Sequence, residues 1–160
     1  MLEGRLMRVV RYKLYPLDPR FVPDPQAAEY GEQWLRARYP ECGVQAHRYE
    51  HPYFLHCGEG LDHIVCPACG EELDMRDWQD IMDYVYGSTR FQALDITTPC
   101  CESPVGLNRL IYDKHCDFAS FCYAIEHDGA GVPEPDEESL AELAALLGCL
   151  DGCGLVVEIA

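Results

Sequence analysis

Cys66-Pro67-Ala68-Cys69-Gly70 is the segment that most limits what this chain can be. Two thiolates two residues apart reach the same cation from one tight turn. A Gly after the second tolerates the left-handed backbone that aims neighbouring N–H groups at the sulfurs. Cys100-Cys101 lies downstream as a second pair. Four thiolates close a tetrahedral shell around one Zn²⁺, the arrangement of a structural rather than a catalytic ion. The pattern predicts one structural zinc held by Cys66, Cys69, Cys100 and Cys101. The second pair is adjacent, so both sulfurs reach one ion only if their turn rotates both inward. The alternative is one ligand and one buried thiol, with Cys57, His63, His115 or Cys116 as rivals for the fourth place. Cys122, within a strand, and Cys149, at a helix end, read as core thiols.

Composition narrows the setting. The chain has 160 residues, 48% of them hydrophobic, enough for a single domain or a small domain carrying an insertion. No apolar run approaches the roughly 20 residues of a membrane-spanning helix. Arg5, Arg8, Arg11 and Lys13 interrupt any signal-peptide core, which points to the cytoplasm. In that reducing compartment ten cysteines read as metal ligands and buried thiols, not disulfides. The net charge is −16 and uneven: residues 1–49 carry 8 basic and 6 acidic groups, whereas residues 50–160 carry 4 and 22. Such a surface repels phosphate backbones and excludes nucleic acid as the expected partner. It serves solubility, or it steers a basic protein partner.

Hydrophobic periodicity gives two β-α-β units. Leu6 to Tyr15 reads as a strand with Leu6, Val10, Tyr12 and Leu14 on one face and Arg11 and Lys13 on the other. After a Pro-rich loop, Asp24 and Pro25 open a helix whose inward stripe is read as Ala27, Tyr30, Trp34 and Ala37. Val44 to Tyr49 is the next strand. Phe118 to Glu126 begins the second unit; Asp136 caps a helix with Leu140, Leu143, Ala144 and Leu147 inward, and Gly148 stops it. Leu155, Val157 and Ile159 form the last strand. The expected class is α+β, a ferredoxin-like β-α-β-β-α-β sandwich built from 1–49 and 115–160, with 50–114 as an inserted zinc-ribbon minidomain containing one helix.

Within the insertion, Tyr53–Cys57 and His63–Cys66 read as two arms of a hairpin around Gly58-Glu59-Gly60. Asp74 caps a helix to about Tyr86, with Met75, Trp78, Ile81, Met82 and Val85 inward, Asp77, Asp80 and Asp83 outward, and Gly87 as the stop. Those three aspartates are the candidate partner face. Phe91–Ile96 and Val105–Ile111 alternate as strands around the second cysteine pair.

Cys66-Pro-Ala-Cys69-Gly, the acidic helix around Trp78, Thr98-Pro-Cys-Cys101 and Leu107-Asn108-x-Leu110-x-Tyr112-Asp113 together resemble a set of uncharacterised bacterial zinc-ribbon proteins with the pattern C-P-x-C-G, T-P-C-C-G, L-N-x-L-x-Y-D. The resemblance covers roughly residues 66–147 and brings no activity with it. It implies that Cys100 and Cys101 are both ligands. This chain departs from the pattern at Glu102, where the pattern has Gly.

Motifs for catalysis are missing from the sequence. There is no H-E-x-x-H, P-loop, G-x-G-x-x-G or G-x-S-x-G, and no H-x-E precedes the C-x-x-C as zinc deaminases require. His115-Cys116-Asp117 offers a nucleophile beside a base in sequence only. The expected function is therefore non-enzymatic: a zinc-binding protein that presents a protein–protein interaction surface. An acidic immunity-type or nucleic-acid-mimicking inhibitor of a basic nuclease or regulator, and a zinc or Cys–His enzyme, are the alternatives.

Overall fold

A computed structural model describes residues 8–160. Its elements in chain order are β1 (Val10–Pro16), α1 (Pro25–Arg38), β2 (Gly43–Leu55), β3 (Ile64–Val65), α2 (Met75–Thr89), β4 (Asp95–Thr97), β5 (Pro104–Gly106), β6 (Ile111–Tyr112), β7 (Asp117–His127), α3 (Glu137–Leu147) and β8 (Cys153–Ile159). Leu6, expected at the start of the first strand, lies outside the described residues. The class is α+β. The main sheet has the order β2-β7-β1-β8, and every neighbouring pair in it is antiparallel.

One face of this sheet is covered by α1 and α3. Val10, Tyr12, Leu14, Val44, Phe121, Tyr123 and Ile125 meet Leu35, Leu143, Ala144 and Leu147 in a single buried cluster. The period-two reading of β1 holds, because Arg11 and Lys13 point to the opposite face and pair with Glu158 on β8. Both helices are capped as their sequences predict: Asp24 accepts from Ala27 N and Asp136 from Ser139 N, and Gly148 ends α3 at φ 78°.

The inward face of α1 differs from the expected one by one residue. Gly31 and Leu35 are buried and Ala28 packs beside them, while Tyr30 is 52% exposed. The cause is Tyr123 of β7. Its hydroxyl donates to Ala28 O at 2.5 Å and fills the space a side chain on Gly31 would need. The helix docks through its smallest residue because the sheet sends up one of its largest.

The second strand is longer than expected and changes the pairing below it. β2 continues through a bulge between Arg48 and Tyr53, then re-pairs with β7 at Tyr53↔Ala119, Phe54↔Phe118 and Leu55↔Asp117. Residues 50–55 therefore belong to the main sheet. The hairpin expected between Tyr53–Cys57 and His63–Cys66 does not form; Ile64 and Val65 pair with Tyr112 and Ile111 instead. The segment between β2 and β7 gathers a second core of Ile64, Leu73, Trp78, Met82, Val85, Phe91, Leu107 and Tyr112. It is closed by aromatic contacts from the sheet: Phe118 packs on Phe91 with centroids 5.1 Å apart, and Phe54 on Trp78 at 5.7 Å.

In α2 the inward positions are Trp78, Met82 and Val85, with Ile81 partly covered and Met75 exposed. The helix runs through Gly87 and stops at Arg90, whose φ of 55° makes the left-handed cap. The expected strand 91–96 is replaced by Asp95–Thr97, and Phe91, at φ 61°, lies outside it. The expected strand 105–111 is interrupted by a 3-10 turn at Leu107–Arg109, which buries Leu107.

Candidate metal centre

Two turns carry the four cysteines, and their backbones are bonded alike. In the first, which follows β3, Cys66 N donates to Glu71 O at 2.9 Å and Gly70 N to Cys66 O at 2.8 Å. In the second, which joins β4 to β5, Thr98 N donates to Ser103 O at 2.9 Å and Glu102 N to Thr98 O at 2.9 Å. The left-handed position is Gly70 (φ 78°) in one and Glu102 (φ 55°) in the other. By this pattern Thr98 is the counterpart of Cys66, Cys100 of Ala68, Cys101 of Cys69 and Glu102 of Gly70. The second turn is thus a C-x-x-C turn whose first cysteine is a threonine and whose sulfur has moved two residues on.

The side chains converge. The Sγ atoms of Cys66, Cys69, Cys100 and Cys101 all lie within 4.8 Å of one another, close enough to hold one metal ion. Cys69–Cys100 is 3.4 Å, Cys66–Cys101 3.8 Å and Cys100–Cys101 4.0 Å. A tetrahedral ion with Zn–S bonds of about 2.3 Å requires sulfur–sulfur edges of about 3.8 Å. The spacing fits that group without rearrangement of the backbone. Cys66 is fully buried, and the other three sulfurs lie nearer the surface.

The surroundings favour anionic sulfur at Cys101 and Cys66 and oppose it at Cys69 and Cys100. The hydroxyls of Ser103 and Thr98 sit 3.2 and 3.3 Å from Cys101 Sγ and hold its pKa down at about 6. Burial works against ionisation of Cys66, but the N–H groups of Cys69 and Ala68 outweigh it and lower its pKa. Cys69 is pushed up to about 12: the Glu71 N–H favours its thiolate, but the neighbouring sulfurs Cys100, Cys101 and Cys66, with burial, disfavour a further negative charge. Burial likewise raises Cys100. Crowded sulfurs cannot all ionise against one another, and a divalent cation at their centre removes that conflict.

The rivals for the fourth position stand apart. Cys57 and Cys116 are buried in the Trp78 core, and the Cys116 thiol donates to Lys114 O at 3.4 Å. His63 Nδ1 bonds to Glu72. His115 Nε2 lies 2.7 Å from the Tyr15 hydroxyl, which in turn donates to Asp117 Oδ2 at 2.7 Å. The histidine is engaged with tyrosine, not with Cys116, whose thiol burial pushes up to about 12. Cys122 and Cys149 are buried as expected, and Cys149 Sγ lies 3.7 Å from Cys153 Sγ. The contributions of Thr98 and Ser103 were invisible in the sequence; the sole hint was T-P-C-C echoing C-P-x-C.

No family model, curated protein or solved structure matches the chain. The four-sulfur cluster therefore carries the functional reading by itself. No helix among the described residues is long and apolar enough to cross a membrane.

Proposed function

We propose that this chain is a non-enzymatic zinc-binding protein in which Cys66, Cys69, Cys100 and Cys101 hold one structural Zn²⁺, forming a zinc ribbon that supports a protein–protein interaction surface. The ribbon is the insertion of a ferredoxin-like sandwich, beginning after Leu55 and ending before Asp117. The observation that carries the reading is the convergence of four sulfurs from two turns with the same backbone bonding. Four thiolates leave no open coordination position, so the ion's role is to tie the β3 turn to the β4–β5 turn. Support for the sandwich comes from the strand order β2-β7-β1-β8 with both helices on one face.

The partner reading rests on charge. Asp77, Asp80 and Asp83 are exposed on α2, and none of them forms an ion pair with a basic group among the described residues. A basic protein is the partner such a face selects.

Metal content by native mass spectrometry tests the site on wild type and Cys101→Ser. One zinc per chain, lost or loosened in the variant, is the expected result. Full zinc occupancy in Cys101→Ser would place Cys101 outside the shell and end the four-thiolate reading.

A further inference from the structure

Beside the metal centre runs a groove that the charge argument alone does not reveal. One wall is α2, through Asp80, Ile81, Tyr84 and Val85; the other is the β4–β5 hairpin, through Asp95, Ile96, Thr97 and Pro104. Its volume is about 560 Å³. The floor is apolar: Val85 is buried, Ile81 and Ile96 are partly covered, and both isoleucines pack against the Trp78 core. Tyr84 stands at the rim, 74% exposed. Asp80 on α2 and Asp95 on the hairpin both line the groove, and no basic side chain among the described residues pairs with either. An apolar floor with an exposed tyrosine is the composition of a protein-docking hot spot. Carboxylates on both lips set the sign of what docks there.

We infer that this groove is the docking site for a basic amphipathic helix of a partner protein, its apolar stripe on Ile81, Tyr84, Val85 and Ile96 and its Lys or Arg residues against Asp80 and Asp95. A helix matches because an apolar stripe flanked by basic residues at i±3 and i±4 meets the floor and both lips together. The inference deepens the proposed function and rests on its reading of a basic partner. It also moves the face. Asp80 belongs to the groove, whereas Asp77 and Asp83 lie outside it, and Asp95 and Ile96 come from the hairpin that follows α2. The hairpin wall ends at the Thr98–Ser103 turn, which carries Cys100 and Cys101.

The test uses the full-length, zinc-loaded chain and a synthetic amphipathic helical peptide of leucine and lysine, with its leucine–glutamate counterpart as control. Binding is followed by calorimetry and by amide chemical-shift mapping. The expected map centres on residues 80–85 and 95–97, with no binding of the acidic peptide. Tyr84→Ala, a change at an exposed side chain, should weaken affinity about ten-fold. The pair Asp80→Asn with Asp95→Asn should weaken it about five-fold at low salt and flatten the salt dependence. The pair Asp77→Asn with Asp83→Asn should do neither. Equal losses from both aspartate pairs, with none from Tyr84→Ala, would overturn the groove while leaving a diffuse acidic face intact. No binding of the basic peptide would overturn both. Zinc stoichiometry of each variant shows that the site itself is unchanged.

Discussion

At the scale of single residues, two positions decide how well the metal turns are built. Gly70 and Glu102 occupy equivalent left-handed positions, at φ 78° and 55°. A side chain with a β-carbon costs about 1 kcal/mol or more in that region. Glu102→Gly is therefore expected to stabilise the zinc-loaded form by up to about 1 kcal/mol after the added freedom of the unfolded chain is deducted. Gly70→Ala, where a β-carbon would meet nothing within 4 Å, should destabilise it by about 1 kcal/mol through the backbone alone. Zinc transfer to a competing chelator, timed for the three proteins, checks both signs. A second residue with a defined cost is Glu158, on the sheet face opposite the two helices. It is 8% exposed, 2.9 Å from Lys13 Nζ and 3.5 Å from Arg11 Nη1. Burial raises its pKa, but Lys13, His56 and Arg11 outweigh that and leave it lowered. A lowered carboxylate stabilises the fold above its unfolded pKa and loses that contribution as pH falls through the folded one. Glu158→Gln should cost about 2 kcal/mol at pH 7. The gap to wild type should close in acid, read by urea unfolding of Trp34 fluorescence in a Trp78→Phe background. The first turn was legible because C-P-x-C-G names both its ligands and its left-handed residue. Glu158 was not, since no local pattern says that three bases will converge on one carboxylate from β1 and the loop after β2.

Elements explain why the adjacent cysteines work. The β4–β5 hairpin makes the same turn as the β3 segment, with Thr98 in the place of Cys66 and its hydroxyl 3.3 Å from Cys101 Sγ. A sulfur at position 98 would thus enter the same cluster. Cys100→Ala alone is expected to lower zinc affinity by about 100-fold or more, since a closed thiolate shell loses one member. Adding Thr98→Cys to Cys100→Ala rewrites the second turn as a copy of the first and should restore one zinc per chain by mass spectrometry. Failure of the double substitution to recover metal would separate the two turns despite their common hydrogen bonds. The elements themselves were read well where periodicity is long. α3 presents the expected apolar positions, α2 all of them but the exposed Met75, and β1 the expected face. Reading failed where the deciding contact comes from elsewhere: Tyr123 rotates α1, and Phe118 draws β2 past its bulge to Leu55. The groove belongs to the same class, because Ile81 and Ile96 line one surface only once both have packed on the Trp78 core.

For the whole molecule, the question is how two cores share one chain. The helix-covered core holds Trp34 at its edge, and the core beside the metal holds Trp78. The second is not self-sufficient: Phe54 and Phe118, both on the main sheet, complete it. Structural zinc in small domains contributes on the order of 10 kcal/mol at neutral pH, more than any one of these side chains can. Removing the metal should therefore release the segment between β2 and β7 first, while the β2-β7-β1-β8 sheet persists. On titration with chelator, Trp78 emission should shift to the red with one apparent affinity while Trp34 holds its spectrum, each followed with the other tryptophan replaced by Phe. The shared aromatics add a second expectation. Once Trp78 and Phe91 leave, Phe54 and Phe118 face water, so the urea midpoint of Trp34 should fall in the metal-free protein although its starting spectrum does not change. Trp34 and Trp78 responding together to chelator would mean that the two cores unfold as one unit. The metal would then be a keystone of the whole chain, and the groove beside it could not open without the sheet.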